Sequence, residues 1–238
     1  MESKVIITGA SSGIGKSIYE ILTKNGYKCY GFQRTNADYY LDLSYPDTVL
    51  NVYSQFECAH GIAETVIINA GYSLDGTLID LKLTEMVNIF NVNIISHIEL
   101  IKHIINSWKK YNVKGNIILI GSQAALPGYK NASNVVYSAT KAAIYSLMET
   151  LSKEYPEHAR VNCISLGDVI TEGELRLIKD KCILNGTSLD MELDKLKNDN
   201  LMSRLVTKEE ISQLVLFVMS YQSLHAANIN ASAGSYIG

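Results

Sequence analysis

Cysteine is scarce in this chain of 238 residues, and its four cysteines lie far apart without a C-x-x-C pair. The sequence therefore predicts neither a disulfide framework nor a zinc knuckle, and buried thiols are expected at Cys29, Cys58, Cys163 and Cys182. Histidines at ligand spacing, such as H-x-x-x-H, are also missing, so no metal site is predicted. Solvated or core positions are expected instead for His60, His97, His103, His158 and His225.

An excess of charge of one sign is missing too. The chain has 21 Lys and Arg against 24 Asp and Glu, a formal net charge of -3. Without a basic excess it cannot neutralise phosphates along a duplex, so nucleic acid is not an expected partner. With 47% apolar and 19% charged residues, the composition excludes a fibrous or disordered protein. The length predicts a single domain over residues 1–238.

Long hydrophobic runs are the third absence. No uninterrupted apolar stretch approaches the roughly 20 residues of a membrane-spanning helix. The apolar run at residues 5–7 is too short for the hydrophobic core of a signal peptide. The sequence therefore predicts a cytoplasmic protein with no membrane partner.

Short β-branched runs alternate with longer helical patterns along the chain. This alternation predicts an α/β fold: a single doubly wound, Rossmann-type domain with a mostly parallel sheet of about seven strands and helices on both faces. The expected strands include residues 5–8, 28–33, 65–69, 116–121, 160–165 and a final one near 226–230.

Helical spacing predicts one long amphipathic helix over residues 84–111, with Thr84 as its N-cap. Further helices are expected over residues 136–155, ending before Pro156, and over residues 208–220. The polar stretch 172–200 has no strand pattern. It is interpreted as a lobe of short helices that covers the substrate, although a plain surface insertion fits nearly as well.

A glycine-rich turn, Thr8-Gly9-Ala10-Ser11-Ser12-Gly13-Ile14-Gly15, follows the first strand, and a helix is expected from Lys16. Glycines here allow a tight turn and leave the helix N-terminus open to a pyrophosphate, which favours a dinucleotide site. The same glycines would also suit an ordinary strand-to-helix loop.

A second function class has to be weighed at this turn. Gly15-Lys16-Ser17 matches the end of a Walker A motif, which would indicate a P-loop nucleotide hydrolase. The full motif requires glycine where this chain has Ala10, and no strand ends in a Walker B aspartate. The hydrolase is therefore the weaker hypothesis.

Several polar and small residues follow the glycine-rich turn in a characteristic order. They are Asn69-Ala70-Gly71 after a strand, Asn93 in the long helix, Ser122 after a strand, and Tyr137 four residues before Lys141. Together they resemble the short-chain dehydrogenase/reductase family over nearly the whole chain, from Val5 to about Gly234. The T-G-x-x-x-G-x-G turn and the Y-x-x-x-K pair resemble its compact oxidoreductase branch.

The resemblance implies a catalytic set of Asn93, Ser122, Tyr137 and Lys141. Reduction of a ketone needs a proton on oxygen, and a phenol supplies it when its pKa falls from about 10 toward neutrality. Lys141 shares a helix face with Tyr137 and can stabilise the phenolate. Ser122 would bond the substrate oxygen, and Asn93 would anchor a water that relays protons through Lys141.

The resemblance also implies a cofactor site. Its expected residues are Gly9, Ser11, Ser12, Gly13, Ile14, Gly15, Arg34, Asp42, Leu43, Asn69, Ala70, Gly71, Tyr137, Lys141, Gly167, Val169 and Thr171. Gln33 replaces the aspartate of NAD-specific relatives, and Arg34 can meet a 2'-phosphate, so NADP(H) is expected to be preferred over NAD(H). The family's second NADPH marker is missing, because Ser12 stands in its place.

The sequence thus predicts an NADPH-dependent reductase of a small-molecule carbonyl, with a noncatalytic cofactor-binding regulator as the alternative. Leu166 replaces the usual proline, the interval from Ser122 to Tyr137 is wide, and Ala233-Gly234 replaces a terminal glycine pair. Residues 123–134 and the lobe would select the substrate, with ketoacyl thioesters, sugars or polyols, and xenobiotic carbonyls all open. A homodimer or homotetramer is expected through helices 84–111 and 136–155.

Overall fold

A seven-stranded parallel sheet forms the centre of the protein, as expected from the sequence. The computed structural model describes residues 2–74, 76–127 and 134–236. Its strands are β1 (Lys4–Thr8), β2 (Lys28–Gln33), β3 (Tyr39–Tyr40), β4 (Thr65–Ile68), β5 (Gly115–Ser122), β6 (Ala159–Leu166) and β9 (Ala227–Ala231). They lie in the order β3-β2-β1-β4-β5-β6-β9.

Helices cover both faces of this sheet, and each face has its own apolar core. Helices α2 (Val49–His60), α4 (Ser96–Tyr111) and α5 (Val135–Glu154) pack on one face. Helices α1 (Gly13–Lys24) and α8 (Lys208–Ser220) pack on the other. Because β4 and β5 are buried on both faces, their sequences are continuous apolar runs without alternation.

The strand order reverses beside β1, since the chain first adds β2 and β3 on one side and then continues with β4 on the other. In open parallel sheets a ligand crevice forms at such a switch point, outside the carboxyl ends of the strands. The ends of β1, β2 and β4 therefore mark where a site is expected.

The long helix predicted over residues 84–111 is present, but a π-helical turn interrupts its α-helical hydrogen bonding. It consists of α3 (Leu83–Phe90), a π-helical turn (Asn91–Ile95) and α4, and its N-cap residue is Lys82. A π turn shifts the hydrogen-bond pairing by one residue, and such turns are frequent at functional sites. Apolar periodicity continues across the turn, which is why the sequence pattern did not reveal it.

The segment after β6 forms two further helices, α6 (Glu172–Asn185) and α7 (Leu189–Asn198). A small parallel pair, β7 (Val169–Ile170) with β8 (Val206–Thr207), joins its two ends. The last helix, α8, begins in a capping box in which Thr207 and Glu210 satisfy each other's backbone amides.

Two smaller expectations are also corrected. The first helix starts at Gly13 rather than Lys16, and Cys58 is exposed whereas the other three thiols are buried. Among the described helices, none is both long and apolar enough to cross a membrane. Within the same residues, no three His, Cys, Asp or Glu side chains gather as metal ligands would.

Candidate active site

A cavity of about 520 Å³ opens at the carboxyl ends of β1, β2 and β4, at the switch point of the sheet. Its lining includes thirteen of the seventeen residues that the sequence analysis assigned to a cofactor: Gly9, Ser11, Ser12, Gly13, Ile14, Gly15, Arg34, Asp42, Leu43, Asn69, Ala70, Gly71 and Thr171. Five separate segments of the chain therefore meet at one surface.

The glycine-rich turn closes one end of this cavity. Gly9 and Gly13 have positive φ values of 71° and 53°, which side-chain-bearing residues adopt only with strain. A Cβ on Gly15 would lie 2.1 Å from the carbonyl oxygen of Gly9. Glycine is therefore required for this close approach, which sets the N-terminus of α1 against the cavity.

Thr8 and Asn69 hold this turn against the end of β4. The Thr8 hydroxyl oxygen accepts hydrogen bonds from the backbone amides of Asn69 and Ala70, each at 3.0 Å. The Asn69 side-chain amide donates to the carbonyl oxygens of Thr8 and Gly9. The role of Thr8 was not foreseen, although it is the first residue of the quoted motif.

Lys16 and Ser17, which match the end of a Walker A motif, make contacts that do not fit a P-loop. The Ser17 hydroxyl is buried against α8, where it bonds the carbonyl of Lys208 and the hydroxyl of Ser212. Lys16 is exposed and lies 3.8 Å from Glu20. Ser17 is therefore not placed to hold a magnesium ion, and Lys16 lies outside the described lining of the cavity where phosphates would bind, so the geometry does not support a P-loop hydrolase.

The end of β2 forms the opposite side of the cavity. Gln33 is buried, and its amide donates to the carbonyl oxygen of Asn36 at 2.8 Å. This bond ties the turn that carries Arg34, which is exposed and lines the cavity. Within the described residues Arg34 has no carboxylate partner. Asp42, the one acidic residue among the described residues of the lining, accepts a hydrogen bond from the amide of Ser44 at 2.9 Å.

Two of the predicted catalytic residues, Asn93 and Lys141, lie beside Gly71, where the loop after β4, the π-helical turn and α5 approach one another. A Cβ on Gly71 would lie 3.1 Å from Oδ1 of Asn93 and 3.8 Å from Nζ of Lys141. Nζ of Lys141 lies 5.7 Å from the ring centroid of Tyr137. Ser122 is buried at the end of β5, and its hydroxyl oxygen accepts the amide of Ala124.

Asn93 lies in the π-helical turn, and its side chain is fully engaged. It donates to the carbonyl of Tyr72 and to the hydroxyl of Thr140, and it accepts from the amide of Tyr72. Thr140 in turn donates to the carbonyl of Tyr137 at 2.7 Å. Thr140 and Tyr72 thus connect Asn93 to α5 and to the 69–71 loop, and neither was singled out from the sequence.

Lys141 is a buried cation of the candidate site. It is 7% exposed and donates to the carbonyl of Ile120 at 3.1 Å. Burial lowers the pKa of its ammonium group to about 8, and no described acidic side chain pairs with it. A buried cation beside a phenol is an arrangement that stabilises the phenolate form.

Not all of the predicted residues meet the cavity. Four of the seventeen are absent from its described lining, namely Tyr137, Lys141, Gly167 and Val169. Gly167 packs against Ser232, and Val169 is buried in β7. Thr171 does line it, and its hydroxyl oxygen also caps α6 by accepting the amide of Glu174. In the segment 123–134, residues 128–133 lie outside the described part of the chain.

Comparisons with known proteins agree with this architecture. A family model described as short chain dehydrogenase matches residues 3–181. The chain is 27% identical to human dehydrogenase/reductase SDR family member 11, covering 90% of this chain and 87% of that protein. It is 29% identical to the 3-oxoacyl-[acyl-carrier-protein] reductase FabG of Buchnera aphidicola subsp. Acyrthosiphon pisum, covering 94% of both chains.

Among solved structures, L-sorbose reductase from Gluconobacter frateurii, complexed with NADPH and L-sorbose, superimposes with a TM-score of 0.86. It is 20% identical and covers 100% of this chain and 97% of that one. With three quarters of the chain inside the family model, the chain belongs to the short chain dehydrogenase family of oxidoreductases.

Proposed function

We propose that the protein interconverts a carbonyl and a secondary alcohol with a nicotinamide dinucleotide, and that it acts mainly as an NADPH-dependent reductase. The observation that carries this proposal is the buried ammonium of Lys141 beside the ring of Tyr137, next to the cavity at the switch point and without an acidic partner among the described side chains. A noncatalytic dinucleotide-binding regulator would need no such pair.

The cavity fits a dinucleotide on three physical grounds. Gly9 and Gly15 leave room that a Cβ would fill, the N-terminus of α1 offers free backbone amides to a pyrophosphate, and Arg34 supplies a cation at the end of β2. Gly9 to Gly15 would hold the pyrophosphate, Asp42 and Leu43 the adenine, and Asn69 to Gly71 the adenosine side. Gly167, Val169 and Thr171 would line the nicotinamide end.

The chain's own groups then carry the proton chemistry. A bound reduced nicotinamide supplies a hydride equivalent to the carbonyl carbon. Ser122 donates a hydrogen bond to the substrate oxygen and stabilises the charge that develops there. Tyr137 delivers its phenolic proton to that oxygen. Lys141 lowers the cost of the resulting phenolate, and Asn93 anchors the water through which a proton returns by way of Lys141.

The substrate is proposed to be a ketoacyl thioester or a sugar ketone, the classes named for FabG and L-sorbose reductase. It would bind beneath the lobe of α6 and α7. The start of this lobe contacts the glycine turn, because a Cβ on Gly13 would lie 3.4 Å from the methyl group of Thr171. Exposed Leu177 and Met191 give the lobe apolar surface.

The direct test is oxidation of NADPH and NADH with a panel of ketoacyl thioesters, ketoses and quinones. Turnover of one class with NADPH supports the proposal. Tight cofactor binding by calorimetry without turnover of any class would instead favour the regulator.

The pH profile of reduction is expected to hold level below about pH 8 and to fall above it, because the pKa of Lys141 is about 8. Its ammonium form predominates below that pH and is lost above it, and Tyr137 then loses the charge that stabilises its phenolate. The profile of kcat/KM reports the free enzyme. Lys153→Ala, which removes an exposed lysine of the same helix, should leave the profile unchanged. A wild-type profile level to about pH 10 would contradict the assignment.

We also propose a homodimer or homotetramer in the cytoplasm, built on α4 and α5. A groove of about 610 Å³ runs between these helices, with Ile98, Ile101, Leu147 and Leu151 in its lining. Pairing with the same groove of a second copy would bury this apolar surface.

Light scattering is expected to give two or four times the mass of one chain. Ile98→Asp should shift the population toward the monomer, because it would bury a charge in the interface. Leu50→Asp is the matched control, since Leu50 is exposed on α2 and lies outside the groove. A wild-type protein that scatters as one chain at micromolar concentration would reject the proposal.

A further inference from the structure

His97 is a buried histidine in the first turn of α4, and the proposed mechanism does not use it. It is 1% exposed. Its Nδ1 lies 3.1 Å from the main-chain carbonyl oxygen of Asn93, and its Nε2 lies 3.5 Å from the hydroxyl oxygen of Thr8. One side chain therefore bridges the catalytic π turn and the end of β1.

The neighbours of the ring determine which nitrogen carries the proton. A carbonyl oxygen can only accept a hydrogen bond, so Nδ1 must be the donor toward Asn93. The Thr8 oxygen already accepts the amides of Asn69 and Ala70, which leaves its own hydroxyl hydrogen to donate. Nε2 is then the acceptor, and both contacts require the same neutral Nδ1–H tautomer.

Burial keeps the ring in this neutral state. Removal from water is the main cause that lowers the pKa of His97 to about 4, and the positive charge of Lys141 lowers it further. The hydrogen bond to the Asn93 carbonyl acts in the opposite direction but is outweighed. At neutral pH the ring is thus a fixed connector with one donor and one acceptor.

The bridged groups belong to the two halves of the proposed site. Thr8 holds the 69–70 loop, which lines the cofactor cavity. Asn93 has its side chain committed to Tyr72 and Thr140, so its position along the helix is set by those bonds and by the ring of His97. Because these bonds occupy the side chain, the main-chain carbonyl is the group of Asn93 that would hold the proposed relay water, and a movement of this carbonyl would move the water with it.

We infer that His97 is a positioning residue, which in its neutral Nδ1–H form ties the main-chain carbonyl of Asn93 to Thr8 and fixes that carbonyl for proton relay. This inference rests on the proposed reductase function. It names a residue outside the expected catalytic set, whose ring is buried and lies outside the described lining of the cavity.

Three substitutions at this position separate the two contacts. His97→Leu removes both. His97→Asn keeps an amide N–H near the place of Nδ1, so it can still donate to the Asn93 carbonyl. His97→Gln reaches toward Thr8 with an acceptor but leaves the carbonyl without its donor. Ile104→Val is the matched control, because Ile104 is a fully buried α4 residue remote from these bonds.

For His97→Leu, kcat is expected to fall about tenfold or more with little change in KM, and the solvent deuterium isotope effect on kcat should rise as proton transfer becomes slower. His97→Asn should recover most of kcat and the wild-type isotope effect, whereas His97→Gln should not. If His97 had a merely structural role, the isotope effect would not change, and His97→Asn would not have a higher kcat than His97→Gln.

Equal kcat and isotope effects in His97→Leu, Ile104→Val and the wild-type protein would overturn the inference. If His97→Leu does not fold, nitrogen-15 NMR of the wild-type imidazole at neutral pH decides the matter. An Nδ1–H tautomer is expected, and an Nε2–H tautomer or an imidazolium would overturn the inference. A wild-type protein that turns over no carbonyl with either cofactor would overturn the proposed function instead, while the NMR result would still test the network itself.

Discussion

Tyr137→Phe is expected to lower turnover about a hundred- to ten-thousandfold, the usual contribution of general acid catalysis. The change removes only the transferable proton and keeps the ring over which Nζ of Lys141 lies at 5.7 Å. Cofactor affinity and the thermal midpoint should therefore stay close to those of the wild-type protein. Steady-state kinetics with the best carbonyl of the panel, together with calorimetric titration of NADPH, measures both quantities.

Tyr145→Phe is the matched control for this experiment. Tyr145 lies two turns later on α5, where its hydroxyl pairs with Glu149 outside the catalytic cluster. The two substitutions remove the same atom from the same helix, and only the first should affect catalysis. If Tyr137→Phe kept more than about half of the wild-type kcat, Tyr137 could not be the acid.

Arg34→Ala is expected to weaken NADPH binding about ten- to a hundredfold, a loss of about 1.5–3 kcal/mol, with little effect on NADH. The guanidinium lines the cavity on a turn that Gln33 holds by its bond to Asn36. It can therefore meet a 2'-phosphate in a charge-assisted hydrogen bond without first ordering the backbone. Titration of both nucleotides by calorimetry gives the two affinities directly.

Lys16→Ala serves as the control for charge alone. Lys16 is an exposed cation in the first turn of α1, and it lies outside the described lining of the cavity. Its removal should change the affinities for NADPH and NADH by the same factor. Equal losses for both cofactors in Arg34→Ala, or a wild-type enzyme that uses NADH better, would show that Arg34 does not select the phosphate.

The sheet could be predicted from sequence because β4 and β5 are apolar runs that are too short to form a helix. The π turn at Asn91–Ile95 could not, since a one-residue shift in backbone pairing leaves the spacing of apolar side chains almost unchanged. The two-residue strand Tyr39–Tyr40 was also missed, because its place is set by pairing with Phe32 and Gln33 rather than by its own pattern.

Some residues of the candidate site could likewise be predicted from the sequence, and others could not. Glycines, Tyr137 and Lys141 occur at fixed spacings within one turn or one helix, so the linear sequence carries them. Thr8, His97 and Thr140 make contacts between residues that are 47 to 89 positions apart in the sequence. No local sequence pattern predicts such contacts. Hydrogen-bond geometry in the folded chain is what brings them into view.

The single tryptophan lies at the amino ends of β4 and β5, whereas the candidate active site lies at the carboxyl ends of the strands. Trp108 is fully buried, donates its indole N–H to the carbonyl of Ala63 at 2.8 Å, and sits so close to Gly115 that a Cβ there would lie 2.1 Å from the ring. Its fluorescence therefore depends on the packing at the amino ends of the strands, and a red shift of its emission will show that the core there has opened to water. Because reduced nicotinamides absorb where indole emits, quenching of the same signal by energy transfer will report cofactor binding, so one natural probe can follow both folding and ligation.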